Sequence, residues 1–581
     1  MHQTYNLIIE DGIEFNNSFP KIYLHPFKTS YKNDKVVKRL SEEEFPKKHI
    51  YLKKIKSNLL TTVSKFLNEF HQTNYSEKFW DIEIGHWLNI YVFNMFEAWE
   101  MMSSLLDEEG SFLVKIRKYL DEDLIVQTMD ELNNHSYNDE FRENIFFFII
   151  KYRFLNNKRF SIEECQYNST SLELQKEKFR SHNKINFNKI ILKIYHLLFS
   201  RIIKRQKYSI LRSYLGLQDD LKLNFKLKQL PTFIPNIYWI CKPDLTLRKS
   251  MRLNEKKDNE FEKFLYKEIF SFMPISFLEG FKNVEKKVNE LTLPQKPKKI
   301  FSSNILKKSL LTRYCAHKVE IGAELFLATH GGCYGHFKIH GLEDQERKIS
   351  SLYLTYGWKD KNDSKVKPFG MIRPLIRFNK NKKKNLLTMI LPNFAIFSDN
   401  IQSRAPGSNP CHAETYFKII DNLDNKIKSK NLLLRFLVRD KGMSVQSIFE
   451  NKYPNIRIDN QKISLSETLS NTKIFLSPYS GTGFLETLAL NIPTIVTEST
   501  HRNNLLRKNA NEYYEILKEA KIYFDDQELL AKHINSIWNN HQEWWESDKV
   551  QKAKNIFCNE FAYINKNKVN KLKELLINEH D

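Results

Sequence analysis

The stretch THGGCYGH, residues 329–336, sets three of the chain's 16 glycines between two histidines, with a tyrosine among them. An apolar run, AELFLA, leads into it and reads as a strand. Gly331 and Gly332 can take backbone angles barred to other residues, so the loop can fold sharply around a ligand. His330 then stands at the strand's end, as a donor to phosphate or as a general acid or base. Tyr334 and Gly335 complete the loop, while His336 and His340 are less constrained.

A second stretch, SPYSGTGFLETLALNIPTI (477–495), follows the apolar run KIFL. Ser477, Ser480, Gly481, Thr482 and Gly483 make the turn, and the helical pattern FLETLAL starts at once. A helix N-terminus at the carboxyl end of a parallel strand offers unpaired N–H groups and a positive dipole end, which suits a phosphate. Glu486, one turn into the helix, is placed to accept hydrogen bonds from ribose or sugar hydroxyls. Ser and Thr are also ordinary cap residues, so the turn alone does not decide between cap and site. Neither GxxxxGK[ST] nor GxGxxG occurs here, which argues against a P-loop hydrolase and a dinucleotide oxidoreductase. Glu343 and Glu346, just past the glycine loop, are candidate bases or a pair on a solvated face. Arg435, in LLLRF, is a candidate phosphate ligand by its fork geometry, or a surface arginine.

The elements that must position these residues fall into two halves. From about residue 300 to 540, short apolar runs alternate with helical patterns, the rhythm of a doubly wound parallel sheet. Before it, the segments YNLIIE and KIYLHPF read as short strands, and 55–104 reads as helical. There Trp80, Ile84, Trp87, Leu88, Tyr91, Val92, Met95, Phe96 and Trp99 recur at helical spacing and form a core stripe. Its polar members Asp81, Glu83, His86 and Glu97 are placed to reach a cleft. Residues 180–206 form an amphipathic or buried helix, and 255–291 a helical segment broken near Pro274. TLPQKPKKI (292–300) reads as a linker.

The chain has 581 residues and a formal charge of +22, with short, scattered lysine runs at 53–56, 296–299 and 380–384. That charge fits a solvated surface or an anionic partner. No arginine-rich arm, zinc spacing or RNA-binding signature accompanies it, so nucleic acid is not an expected partner. Six cysteines lie far apart with no CxxC pair, as in a reducing compartment. The N-terminal residues carry no signal-peptide pattern, and no apolar run reaches the roughly 20 residues of a spanning helix. A cytoplasmic chain is expected, its basic surface compatible with peripheral contact with the anionic inner membrane. No acidic DxD-type pair ends a strand, so no metal and no cofactor are expected.

The set THGGCYG, ISSLYLTYGW, LLLRF and SPYSGTGFLETLALNIPTI, in this order, resembles a family of transferases encoded in bacterial surface-polysaccharide gene clusters and named after a leptospiral locus. EKFWDIEIGHWLNIYVFNMFE and FEKFLYKEIFSFMPISFLEGF are similar in style to that family's N-terminal half. Thr329, Tyr356 and Val438 depart from its pattern, which bears on substrate specificity. The resemblance implies an α/β, GT-B-like architecture: two Rossmann-like domains facing a cleft, with a helix-rich N-terminal half. Residues 1–295 would form the acceptor-side domain, 301–540 the Rossmann-like nucleotide-donor domain, and 541–581 a helical segment packing back across both. It also implies a metal-independent glycosyltransferase that moves a sugar from a nucleotide-activated donor, such as a CMP-activated acidic sugar, to a glycan or lipid-linked glycan acceptor. His330, with Glu343 or Glu346, would be catalytic. Gly331, Gly332, Tyr334, Gly335, Arg435, Ser480, Gly481, Thr482, Gly483 and Glu486 would bind the donor. The alternatives are a CDP-polyol phosphotransferase and a non-catalytic glycan-binding scaffold of polysaccharide assembly.

Overall fold

The computed structural model describes residues 3–9, 15, 17–24, 35–41, 43–118, 125–135, 139–166, 187–235, 237, 239–254, 257–382, 384–392, 409–436, 445–459, 463–498 and 505–578. Among them three sheets form, each wholly parallel. The first has the order β3-β2-β1-β4-β5, from β1 (Thr4–Ile8), β2 (Lys21–Tyr23), β3 (Lys35–Val36), β4 (Ser111–Lys118) and β5 (Phe160–Gln166). The middle sheet has the order β10-β9-β8-β7-β6, from β6 (Tyr208–Leu211), β7 (Lys299–Ser302), β8 (Glu324–Ala328), β9 (Leu352–Thr355) and β10 (Val366–Pro368).

The third sheet comprises β11 (Leu386–Leu391), β12 (Leu432–Phe436), β13 (Arg457–Asp459), β14 (Thr472–Ser477), β15 (Thr494–Thr497) and β16 (Tyr523–Phe524). Its order, β13-β12-β11-β14-β15-β16, is that of a dinucleotide-binding fold. The order reverses between β11 and β14, so β14 delivers its turn at the switch point where such sheets bind ligands. LLTMIL in β11 and TKIFLS in β14 are buried almost throughout, as strands covered on both faces must be.

The chain is thus α/β with Rossmann-like units, and the N-terminal half carries a parallel sheet of its own beside its helices. The middle sheet takes β6 from before residues 295–301, and β7 begins within them, at Lys299. The boundary placed there from the sequence therefore runs through a sheet. The physical reason is the long crossover, residues 212–298, that a parallel pair requires and that separates its two strands in sequence. TLPQKPKKI leads straight into β7.

The helices Phe45–His71 and Glu77–Ser104 pack together. Ser76 caps the second, its hydroxyl accepting from the Phe79 amide at 3.2 Å. The expected core stripe is buried, and so is most of the opposite face. Asp81, Glu83 and Glu97 do not line a cleft. They are buried against cations: Glu83 against Arg313 at 2.8 Å, Asp81 against Lys348 at 2.7 Å, and Glu97 against Arg39. His86 is buried too. The helix expected over 180–206 is seen at Phe187–Lys204, neither buried nor turned apolar side inward.

At the other end, the Asp548–Phe561 helix lies on the Lys508–Glu519 and Thr482–Ala489 helices. The chain then crosses to the middle sheet. Tyr563 N donates to Tyr356 O at 2.9 Å, and Met371 N donates to Tyr563 O at 2.7 Å. Lys568–Ile577 packs on Leu217–Lys226. One hydrophobic cluster extends from Leu7 through the long helices and the middle sheet to Ala562. No helix among the described residues is long and apolar enough to cross a membrane.

Arg313 is fully buried between Glu83 and Glu285, at 2.8 and 2.9 Å, under the Phe281 ring. Removing one partner strands a buried charge. Arg313→Met is expected to cost about 3–5 kcal/mol, read as a lower midpoint of urea unfolding, and adding Glu83→Gln is expected to recover part of that loss.

Candidate active site

Neighbouring strands of the middle sheet deliver polar side chains from their carboxyl ends. After β6, Arg212 and Tyr214 hold left-handed backbone, φ 42° and 63°, a costly conformation for residues other than glycine. After β7, Asn304 Nδ2 donates to the Tyr214 hydroxyl at 3.0 Å. Lys307 follows, its charge acting on both His330 and Glu346. After β8 comes His330, its ring 5.6 Å from that of Tyr214. After β9 comes Tyr356, whose buried hydroxyl has no hydrogen-bond partner among the described residues. Beyond β10, the Arg373 guanidinium stands 5.8 Å from the Tyr214 ring and 4.0 Å from Glu486.

The glycine loop and the β14 turn meet directly. Gly332 N donates to Thr482 Oγ1 at 2.8 Å, and Cys333 Sγ lies 2.8 Å from Ser480 O. A Cβ on Gly332 would fall 2.4 Å from the Gly481 carbonyl carbon, so only glycine allows this approach. Gly335 is held at φ +78°, and a Cβ there would meet Trp358 at 2.5 Å. Gly331 faces the Thr482 hydroxyl. Ser480 N donates to the buried Glu498. The helix Thr482–Ala489 begins after Gly481 with no side-chain cap on its first amides. The Thr482 hydroxyl is turned to the loop, and Gly332 lies directly against the Thr482 amide at the start of that helix.

Glu343 and Glu346 share the Gly341–Ile349 helix, which His340 caps by accepting from Glu343 N at 3.1 Å. Their environments differ. Glu343, fully buried, takes Arg507 at 2.8 Å and Arg347 at 3.4 Å on one oxygen and the Gly335 amide at 2.8 Å on the other. Its oxygens are occupied in holding the loop. Among the described residues no lysine or arginine contacts Glu346. It accepts from Tyr353 at 3.1 Å and stands 3.7 Å from His330 Nδ1. Burial pushes its carboxyl well above the usual range. Burial, reinforced by Lys307, pushes His330 down to about 3. His330 is therefore a neutral imidazole at neutral pH, with its Nε2 3.4 Å from the Tyr334 hydroxyl.

The structure thus brings together His330, Gly331, Gly332, Tyr334, Glu346, Ser480, Gly481, Thr482, Gly483 and Glu486, with Glu343 and Gly335 bracing the loop. Arg435 is not in this group. Its guanidinium bonds Asp459, the Ile463 carbonyl at 3.0 Å and Thr468 at 2.9 Å, tying β12 to β13 and to the Leu465–Asn471 helix. Val438 lies outside the described residues. Tyr214, Asn304, Lys307 and Arg373 escape sequence reasoning. Each sits in an irregular segment just past a strand, and the only signal is its position after an apolar run, which becomes informative once the strands are known to be parallel neighbours.

A family model for LIC12162 family transferases matches residues 22–576. The chain belongs to this family. Among curated proteins none matches. Among solved structures, the wall teichoic acid polymerase TagF overlaps 70% of this chain and 97% of its own, at 10% identity and a TM-score of 0.29. MnaA of S. aureus, in complex with UDP, overlaps 63% and 94% at 9% identity and TM-score 0.37. The spinosyn rhamnosyltransferase SpnG overlaps 64% and 99% at 9% identity and TM-score 0.30. Superpositions this loose say nothing of activity. Membership of the LIC12162 family makes the chain a transferase.

Two outcomes follow from this geometry. Gly332→Ala is expected to push the loop off the turn and cost about 1–3 kcal/mol as overpacking, measured as a fall in the thermal midpoint. The unfolded chain protonates His330 near pH 6.5, whereas the folded chain resists until about pH 3. Stability held by the neutral imidazole is therefore whole above pH 6.5 and is lost as pH falls toward 3. His330→Asn is expected to flatten stability against pH in that window by up to roughly 1.4 kcal/mol per pH unit, with no change above it.

Proposed function

We propose that the protein is a glycosyltransferase that moves a sugar from a nucleotide-activated donor to a hydroxyl of a surface-polysaccharide acceptor. The observation that carries this reading is the Gly332–Thr482 contact, which sets a buried neutral histidine beside an uncapped helix N-terminus. The first amides of the Thr482–Ala489 helix receive the donor phosphate, with Arg373 and Lys307 adding positive charge where the leaving group develops its own. Glu486 receives ribose or sugar hydroxyls. Two cations near a helix start without a side-chain cap suit a donor with phosphate and a second anionic group, such as a CMP-activated acidic sugar.

In the reaction the acceptor oxygen bonds to the anomeric carbon and gives its proton to His330. The bond from that carbon to the phosphate oxygen breaks, and the nucleotide leaves with the electron pair. A neutral imidazole is the form able to accept that proton. The negative charge of the donor phosphate, once bound beside it, raises the imidazole's affinity for that proton. These groups supply the charge stabilisation without a metal ion, so turnover is expected to survive a chelator.

A panel of CMP, CDP, UDP, GDP and dTDP and their sugars tests the reading by thermal shift. The cognate nucleotide at 100 times its Kd stabilises by about 2.7 kcal/mol. His330→Gln is expected to keep that shift and lower turnover about 10²–10⁴-fold. Arg373→Ala is expected to weaken nucleotide binding roughly 10–100-fold, the loss of a charged hydrogen bond. If no nucleotide shifts the midpoint, with or without Mg²⁺, the donor site is wrong. Transfer of a phosphorylated polyol from a CDP donor would replace the sugar reading while keeping the site.

A further inference from the structure

The Phe187–Lys204 helix is built inside out. Ile190, Ile191, Ile194, Leu197, Leu198 and Ile202 share one face and are exposed, Leu197 at 81%. The other side holds the helix to the protein: Tyr195 donates to the Pro231 carbonyl at 2.7 Å, a ring nitrogen of His196 meets the Phe233 carbonyl at 3.0 Å, and Ile203 is buried. The exposed face is apolar from Ile190 to Leu198 and ends in Arg201 and Arg205, with Lys193 and Lys207 exposed on its flank. No Asp or Glu occurs from residue 187 to 207.

The Leu217–Lys226 helix adds a second apolar and basic surface, its two carboxylates being engaged, Asp219 by Lys222 and Lys568 and Asp220 by the Ser213 hydroxyl. Leu217, Leu221 and Phe225 are exposed, Phe225 at 84%, beside exposed Lys222, Lys226 and Lys228. The segment after it runs along the edge strand β6, where Thr232 donates to the Ile210 carbonyl at 2.9 Å, and on to the Tyr195 contact. Both helices therefore sit at the β6 edge of the middle sheet.

We propose that this edge docks on an anionic lipid bilayer, with the Phe187–Lys204 helix lying in the headgroup plane. Exposed leucines and isoleucines along one face, cations at the end and flank, and no carboxylate are the distribution of an interfacial helix. The arginine and lysine stems reach past the apolar side chains to lipid phosphates. A formal charge of +22 draws the whole chain toward a negative surface before contact. The same features fit an acidic protein surface poorly, because the apolar band runs from Ile190 to Leu198 before the first arginine. The inference stands independently of the transferase chemistry.

Flotation of the full chain with vesicles tests it. Binding to phosphatidylcholine vesicles holding about one-third phosphatidylglycerol is expected to exceed binding to phosphatidylcholine alone by about tenfold or more. Leu197→Glu with Leu198→Glu is expected to lower that binding by at least about tenfold. Those side chains are already in water, so the thermal midpoint should hold. Arg201→Glu with Arg205→Glu should abolish the preference for the anionic lipid. The proposal is overturned if the wild type ignores anionic vesicles, if it binds neutral ones equally, or if the leucine variant binds unchanged. It is overturned as well if the wild type is a dimer in light scattering that the leucine variant dissociates without vesicle binding.

Discussion

The Gly332 amide donates to the Thr482 hydroxyl at 2.8 Å, and no side chain stands on the loop at that point. Two parallel sheets are joined there through nearly bare backbone. Any Cβ at 332 would occupy the space of the Gly481 carbonyl, so the separation of the loops is fixed by the absence of a side chain. That closeness places His330, at the end of one sheet, within reach of a helix N-terminus at the switch point of another. Glu343 keeps the loop in register by holding the Gly335 amide and Arg507 together. Trp358 closes the side that Gly335 leaves open.

Two carboxylates three residues apart on one helix are given opposite work by their surroundings. Glu343 is surrounded by arginines and an amide and serves as a charged strut. Glu346, on the same helix, meets a tyrosine hydroxyl and an imidazole and, among the described residues, no lysine or arginine, so burial drives it toward the neutral acid. The helix itself is pinned from behind. Gln345 bonds Asp81 at 3.0 Å and accepts from the buried Lys56 at 2.7 Å. The N-terminal helices thereby hold the helix that carries Glu343 and Glu346.

Both glycine turns were legible as junctions that follow a strand, because apolar runs of strand length end at clusters of small residues. The α/β rhythm of the C-terminal part was legible from apolar runs of strand length. The middle sheet was not. A crossover of residues 212–298 hides the pairing of β6 with β7, and prolines before β7 imitate a linker. Arg435 showed the same blindness in reverse: its fork geometry suits phosphate and carboxylate equally, and Asp459, its carboxylate, lies on the neighbouring strand. Arg373, Lys307 and Tyr214 carry no motif at all, because their meeting is a property of strand order rather than of local spacing.

The contact between Tyr563 and Tyr356 has a bearing on when the protein becomes competent. Tyr563 bonds the backbone at Tyr356 and at Met371, on either side of β10, and its neighbour Asn565 bonds the Phe369 carbonyl at 2.8 Å. The strand ends carrying Tyr356 and Arg373 are thus braced by residues made some two hundred positions later. On the ribosome, where chains fold from the N-terminal side as they emerge, His330 and its glycine loop appear long before that brace. A nascent chain that has not yet reached Tyr563 would hold His330 and its glycine loop without the brace on Tyr356 and Met371.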